Sequence, residues 1–142
     1  MREAALLFPG YEALDARAGA YLLLISLTQP LASALRCMDL TLPAGTYAYA
    51  GSANGPGGIA ARVARHMRSE KKLHWHIDTL TMAASKITPF AFPGGNECSL
   101  VDRLLAAGCD VPAPGFGSSD CRICPTHLLR FSTAGDSPHA AA

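Results

Sequence analysis

The chain has 142 residues, and its 12 basic and 11 acidic side chains leave a formal net charge of +1. A chain of this length buries one hydrophobic core but not two, which predicts a single domain over residues 1–131. The near-neutral charge excludes a polycation that coats nucleic acid without selection. The apolar run at residues 4–8 is too short for a signal peptide or a membrane span, which predicts a cytoplasmic protein with no membrane contact.

Hydrophobic patterns predict strands in the first half of the chain. GAYLLLISL, at 19–27, is a short apolar run without a polar face, typical of a strand buried on both sides. Residues 36–42 are a candidate for a further strand. GTYAYAG, at 45–51, alternates strictly and places Tyr47 and Tyr49 on one face. A glycine-rich turn follows, and the apolar spacing over 60–67 predicts a helix.

The second half predicts two more helices and two more strands. The helices cover 72–84 and the residues after Asn96, a favourable N-cap, up to Gly108. The strands cover 86–92 and 126–131, with an irregular loop over 111–125, and residues 132–142 are expected to form a disordered tail. This order predicts an α+β fold in which about three helices flank a small central mixed or antiparallel sheet.

The helix after the glycine turn collects cationic side chains. Arg62 and His66 lie one turn apart on one face. A helix that begins at glycines such as Gly57 and Gly58 is expected to offer free N–H groups and a positive dipole end to an anion. Further cations follow in the sequence: Arg65, Arg68, Lys71 and Lys72. The alternative is an amphipathic helix whose arginines only face water.

Two other groups are candidate metal ligands. Glu97, at the head of its helix, either complements the helix dipole or binds a hard divalent cation such as magnesium. Cys121, Cys124 and His127 have a spacing that could supply three zinc ligands, or they could merely order their loop.

Together these residues resemble the GIY-YIG nuclease superfamily, and more closely its small stand-alone Uri-superfamily endonucleases. Gly19-Ala20-Tyr21 and Tyr49-Ala50-Gly51 match the two halves of the name motif, with alanine in place of isoleucine in both. Arg62, His66 and Glu97 match polar positions of the superfamily. The match covers residues 19–131, although the insert between the two motifs is longer than usual.

The resemblance implies a metal-dependent endonuclease that hydrolyses phosphodiester bonds of DNA, with RNA left open as a substrate. It implies that Glu97 binds Mg²⁺ or Mn²⁺, that Arg62 holds the scissile phosphate, and that a tyrosine positions or deprotonates the attacking water. The implied catalytic residues are Tyr21, Tyr49, Arg62, His66 and Glu97. The expected substrate-binding residues are Gly57, Gly58, Arg65, Arg68, Lys72 and His76.

Two alternatives stay open at the level of sequence. One is a catalytically inactive module that binds nucleic acid, or acts as an adaptor, on the same scaffold. The other is a structural zinc-binding domain built on Cys121, Cys124 and His127. A protein partner or a homodimer would be one way for so small a domain to acquire specificity.

Overall fold

The computed structural model describes residues 11–33, 40–68, 76–112 and 127–131. Within these ranges the chain forms six strands and three helices, which confirms the predicted α+β class. In chain order the elements are β1 (Gly19–Leu27), β2 (Leu31–Ser33), β3 (Leu40–Leu42), β4 (Gly45–Ala53), α1 (Gly58–Met67), α2 (His76–Ala83), β5 (Lys86–Pro93), α3 (Glu97–Ala106) and β6 (Leu128–Arg130).

The main sheet has four strands in the order β5-β1-β4-β6, and every neighbouring pair is antiparallel. β1 therefore lies inside the sheet, as its uniformly apolar sequence predicts. In the pairing of β1 with β4, Tyr21 lies opposite Gly51 and Leu23 lies opposite Tyr49. The two halves of the name motif are thus neighbours across one strand pair.

The long insert between the two motifs forms a separate two-stranded antiparallel sheet of β2 and β3, with Leu31 opposite Leu42. The sequence predicts a strand over 36–42, and β3 occupies its last three residues, whereas 34–39 lie outside the described part. β2 is not predicted, because three residues are too few to show a period. The insert leaves the pairing of β1 with β4 unbroken.

Alternate residues of the central strands pack into two cores. On one face Leu23, Ile25 and Tyr49 pack with residues of α1 and α2. On the other face Leu22 and Leu24 pack with residues of α3. Each fully buried leucine contributes about 1.5 to 3 kcal/mol to folding. Helices on both faces explain why β1 has no polar side.

The ends of α3 follow from its sequence. The Asn96 side chain accepts hydrogen bonds from the N–H groups of Cys98, at 2.8 Å, and Ser99, at 3.2 Å. An N-cap of this kind stabilises a helix by about 1 kcal/mol and fixes the geometry of its first turn. Glu97 and Cys98, which stand in that turn, are therefore held by a well-defined backbone.

A search for a membrane-spanning helix, made over the described ranges, finds none with the required length and apolar character.

Candidate active site

The ring of Tyr21 lies across the backbone of Gly51, in the segment Tyr49-Ala50-Gly51. A Cβ atom added to Gly51 would stand 2.4 Å from both Cζ and Oη of Tyr21, far inside van der Waals contact. Only a residue without a side chain therefore leaves room for the ring. This close approach gives a physical reason for the pairing of a tyrosine in one motif with a glycine in the other.

Tyr21, Tyr49 and His66 form one buried group, the phenol–imidazole cluster. Tyr21 Oη and His66 Nε2 are 2.8 Å apart, a hydrogen bond between β1 and α1. The rings of Tyr49 and His66 meet edge to face at 5.9 Å. Tyr21 is 2% exposed, His66 1% and Tyr49 9%. The structure brings together these three side chains, which the resemblance assigns to one catalytic site, but it buries them beneath the surface.

Both phenols are harder to ionise than a tyrosine in water. Burial raises the pKa of Tyr21 well above its ordinary value, with a smaller contribution from Tyr49. Burial also raises the pKa of Tyr49 to about 12. In both cases the charge of Glu97 raises the pKa and the charge of Arg62 lowers it. Arg62 and Glu97 therefore both lie within electrostatic range of the phenol–imidazole cluster.

Arg62 stands beside a shallow depression of about 120 Å³ at the start of α1. Guanidinium groups bind phosphate through directed hydrogen bonds, so this depression is suited to an anionic group that contacts Arg62. It is lined by Gly55, Pro56, Gly58, Ala61, Arg62 and Arg65.

The prediction that α1 offers free N–H groups is wrong for its first turn. Ile59 N–H donates to the carbonyl of Arg17 at 3.0 Å, and Ala60 N–H donates to that of Asp15 at 2.8 Å. Gly58 N–H donates to Gly55 at 3.1 Å. The chain before β1 thus caps the helix, and an anion would have to displace these carbonyls.

Gly58 is required by that cap. Its φ is +60°, and an added Cβ would stand 2.0 Å from the carbonyl oxygen of Ala16. The assignment of Gly57 and Gly58 to substrate stays a prediction, but the structure gives Gly58 a clear role in packing α1 against the residues before β1.

Arg65 forms an ion pair inside the protein. Its Nη1 and Nη2 donate to the two carboxylate oxygens of Asp78 at 2.8 and 3.0 Å. Asp78 is 0% exposed, whereas Arg65 is half-buried. The pair raises the pKa of Arg65 and ties α1 to α2. Asp78 therefore fixes the orientation of the Arg65 guanidinium through two hydrogen bonds.

Glu97, Cys98 and His127 bring one ligand atom each to within 4.8 Å of one another. The sequence offers Glu97 as a carboxylate ligand for magnesium, and it offers His127 only within an alternative zinc site with Cys121 and Cys124. It gives no role to Cys98, because nothing in the spacing connects the first turn of α3 to the start of β6. The structure brings them together because His127 lies beside β4, where its carbonyl accepts from Ala50 N–H at 3.0 Å.

The remaining predicted residues lie at the margin of the described ranges. Arg68 is exposed just beyond α1, and His76 begins α2. Lys72 lies outside the described residues, as do Cys121 and Cys124, so the alternative zinc site on those cysteines and the predicted tail are untested.

Comparison with known proteins assigns the chain to a family without assigning an activity. A family model described as "Domain of unknown function DUF123" matches residues 20–141. The chain belongs to the DUF123 family. No curated protein and no solved structure matches the chain. The match of DUF123 begins within the first motif, at Ala20, and spans every polar residue of the candidate site.

Proposed function

We propose that this DUF123 protein is a metal-dependent endonuclease that hydrolyses phosphodiester bonds of DNA, as its resemblance to the GIY-YIG superfamily implies. One observation carries the proposal: Tyr21 of β1 and His66 of α1 are hydrogen-bonded at 2.8 Å beside Tyr49, and the charges of Arg62 and Glu97 act on both phenols. Charged groups that share such a position are typical of active sites.

Arg62 is suited to bind the scissile phosphate. Its guanidinium stands beside the depression at the start of α1. Negative charge grows on the phosphate in the transition state, and a guanidinium fixed in place stabilises it. The first N–H groups of α1 already donate hydrogen bonds to backbone carbonyls. The side chain of Arg62 therefore binds the phosphate in place of the free backbone amides that the sequence predicts.

Proton removal from the attacking water is best explained by a relay through Tyr21. Its raised pKa excludes a stable phenolate at neutral pH, so the tyrosine cannot act as a pre-formed base. The phenol can instead accept the water proton on its oxygen while it passes its own proton to Nε2 of His66, 2.8 Å away. The tyrosine returns to its neutral form, and the imidazole carries the positive charge.

Glu97 has the properties of the metal ligand that the resemblance implies. It offers a single half-buried carboxylate at the start of α3, and magnesium commonly binds proteins through one or two carboxylates together with waters and substrate phosphates. Such an ion, when bound, neutralises phosphate charge and stabilises the departing oxygen.

The proposal is tested by cleavage of labelled DNA. Purified protein is incubated with flap, nicked, duplex and single-stranded substrates, with Mg²⁺ or Mn²⁺ and with a chelator. We expect products only with metal, and we expect Arg62→Ala to lower the rate by about 100-fold or more, since it removes transition-state stabilisation. Arg103→Ala, which removes an exposed arginine of α3, is the matched control and should cleave normally. Equal rates in the two variants would overturn the role of Arg62.

A catalytically inactive nucleic-acid-binding module is the second candidate, and the burial of Tyr21 and Tyr49 favours it. A buried phenol meets an attacking water less easily than an exposed one. This reading predicts salt-dependent DNA binding without any metal-dependent product in the same assay.

A further inference from the structure

The imidazole of His127, immediately before β6, is buried, and the proposed nuclease activity gives it no role. His127 is 5% exposed, and among the described residues its Nε2 finds no hydrogen-bond partner. Buried polar atoms in proteins are nearly always paired, so an unpaired one indicates an ordered water or an ion at that position.

The neighbours of His127 favour an ion. Its ring nitrogen, the Sγ of Cys98 and a carboxylate oxygen of Glu97 lie within 4.8 Å of one another. Ligands of a tetrahedral zinc ion, bound at about 2.0 to 2.3 Å, are about 3.3 to 3.8 Å apart, so closure on an ion needs a shift of about 1 Å. The half-buried side chains of Glu97 and Cys98 can make that shift through their own torsions.

The supports of the three residues are already in place. Asn96 holds the first turn of α3, which carries Glu97 and Cys98, and β4 holds the backbone of His127 through Ala50.

We propose that Glu97, Cys98 and His127 form a binding site for a borderline divalent transition-metal ion of the Zn²⁺ class, with at least one coordination position open to solvent or substrate. Thiolate and imidazole ligands select such ions, whereas magnesium prefers oxygen ligands alone. Two anionic ligands balance the charge of the ion, and three protein ligands are the number found in zinc sites that keep an open position.

This site shares Glu97 with the proposed nuclease but does not depend on that activity. If both proposals hold, the ion beside the phenol–imidazole cluster is a transition metal. Cys109 is not one of the residues whose ligand atoms lie within 4.8 Å of one another at this site. The alternative zinc site on Cys121, Cys124 and His127 is the direct competitor, since both sites would use the same imidazole.

The test is a titration of the full chain with Co²⁺, followed by absorption, and with Zn²⁺ in competition, both without DNA. We expect one ion per chain and a near-ultraviolet thiolate-to-cobalt charge-transfer band. Cys98→Ser should abolish this band and weaken Zn²⁺ binding by at least about 10-fold. The double variant Cys121→Ser/Cys124→Ser should keep the band and bind Zn²⁺ as tightly as the wild type. Glu97→Gln should retain the band and weaken binding.

Cys98 is half-buried, so its serine variant is expected to fold, and circular dichroism checks this. A band that survives in folded Cys98→Ser, or that disappears only in the Cys121/Cys124 double variant, would overturn the site, as would the absence of binding to the wild-type chain. Because no cleavage is measured, a failed nuclease assay leaves this result intact. Conversely, magnesium-dependent cleavage by a chain that shows no cobalt–thiolate band would refute only the transition-metal site.

Discussion

The hydroxyl of Tyr21 makes one buried hydrogen bond, to His66, and the proposed relay passes through that bond. Tyr21→Phe keeps the ring above Gly51 and removes only the oxygen. We expect the free energy of unfolding to fall by about 1 kcal/mol, the usual contribution of such a bond, as measured by urea denaturation. We expect the cleavage rate to fall by about 100-fold or more, because the relay loses its middle member.

Tyr11→Phe is the control for this substitution, since Tyr11 is exposed and packs edge-on against Phe90. It should change neither the cleavage rate nor, by more than a few tenths of a kcal/mol, the stability. If Tyr21→Phe cleaves at the wild-type rate, the relay is wrong and the water must lose its proton to another group.

The pairing of β1 with β4 makes Gly51 the residue that admits the Tyr21 ring. Gly51→Ala would place a methyl group 2.4 Å from Cζ and Oη of Tyr21. Because the ring is buried and cannot move freely, we expect a loss of about 1 to 3 kcal/mol in the free energy of unfolding, the range for overpacked cores. Urea denaturation followed by circular dichroism measures this loss.

Gly55→Ala is the matched control for Gly51→Ala. An added Cβ at Gly55 meets no atom within 4 Å, and its φ lies outside the left-handed region. Its stability should stay within about 0.5 kcal/mol of the wild type. If the two alanine variants were equally stable, the ring of Tyr21 would not lie where the structure has it.

At the level of elements, local patterns predict most of the fold. β1, β4 and α3 each lie where their sequences indicate: an apolar run marks β1, strict alternation marks β4, and an N-cap together with a glycine stop marks α3. β2 is missed because so short a strand has no period. The cap on α1 by the carbonyls of Asp15 and Arg17 is also missed, since it depends on a segment that carries no regular pattern.

Across the whole molecule, the candidate site depends on contacts between distant parts of the chain. The resemblance names five residues as one set: Tyr21, Tyr49, Arg62, His66 and Glu97. In the structure a hydrogen bond and ring contacts join Tyr21, Tyr49 and His66. The charges of Arg62 and Glu97 act on both phenols. Local spacing cannot show that Asp78 engages Arg65 or that Cys98 approaches His127, because sheet pairing and helix packing decide these contacts. The burial of the two phenols likewise depends on how the helices pack on the sheet, which local sequence does not show.

Sheet and helices serve the site in different ways. β1 and β4 hold the two phenols in fixed register, α1 carries the imidazole and the guanidinium, and α3 carries the carboxylate. We therefore propose that the carboxylate at the start of α3 and the guanidinium of α1 act on the same phosphate.

The direct test of this claim is the single-turnover rate of metal-dependent DNA cleavage by Glu97→Gln, measured beside Asp102→Asn. Both substitutions neutralise an acid in the same helix, but Asp102 is exposed and lies beyond the first turn. We predict that Glu97→Gln, folded like the wild type, loses about 100-fold or more of the rate, while Asp102→Asn keeps it. Equal cleavage by Glu97→Gln and the wild type would contradict the account.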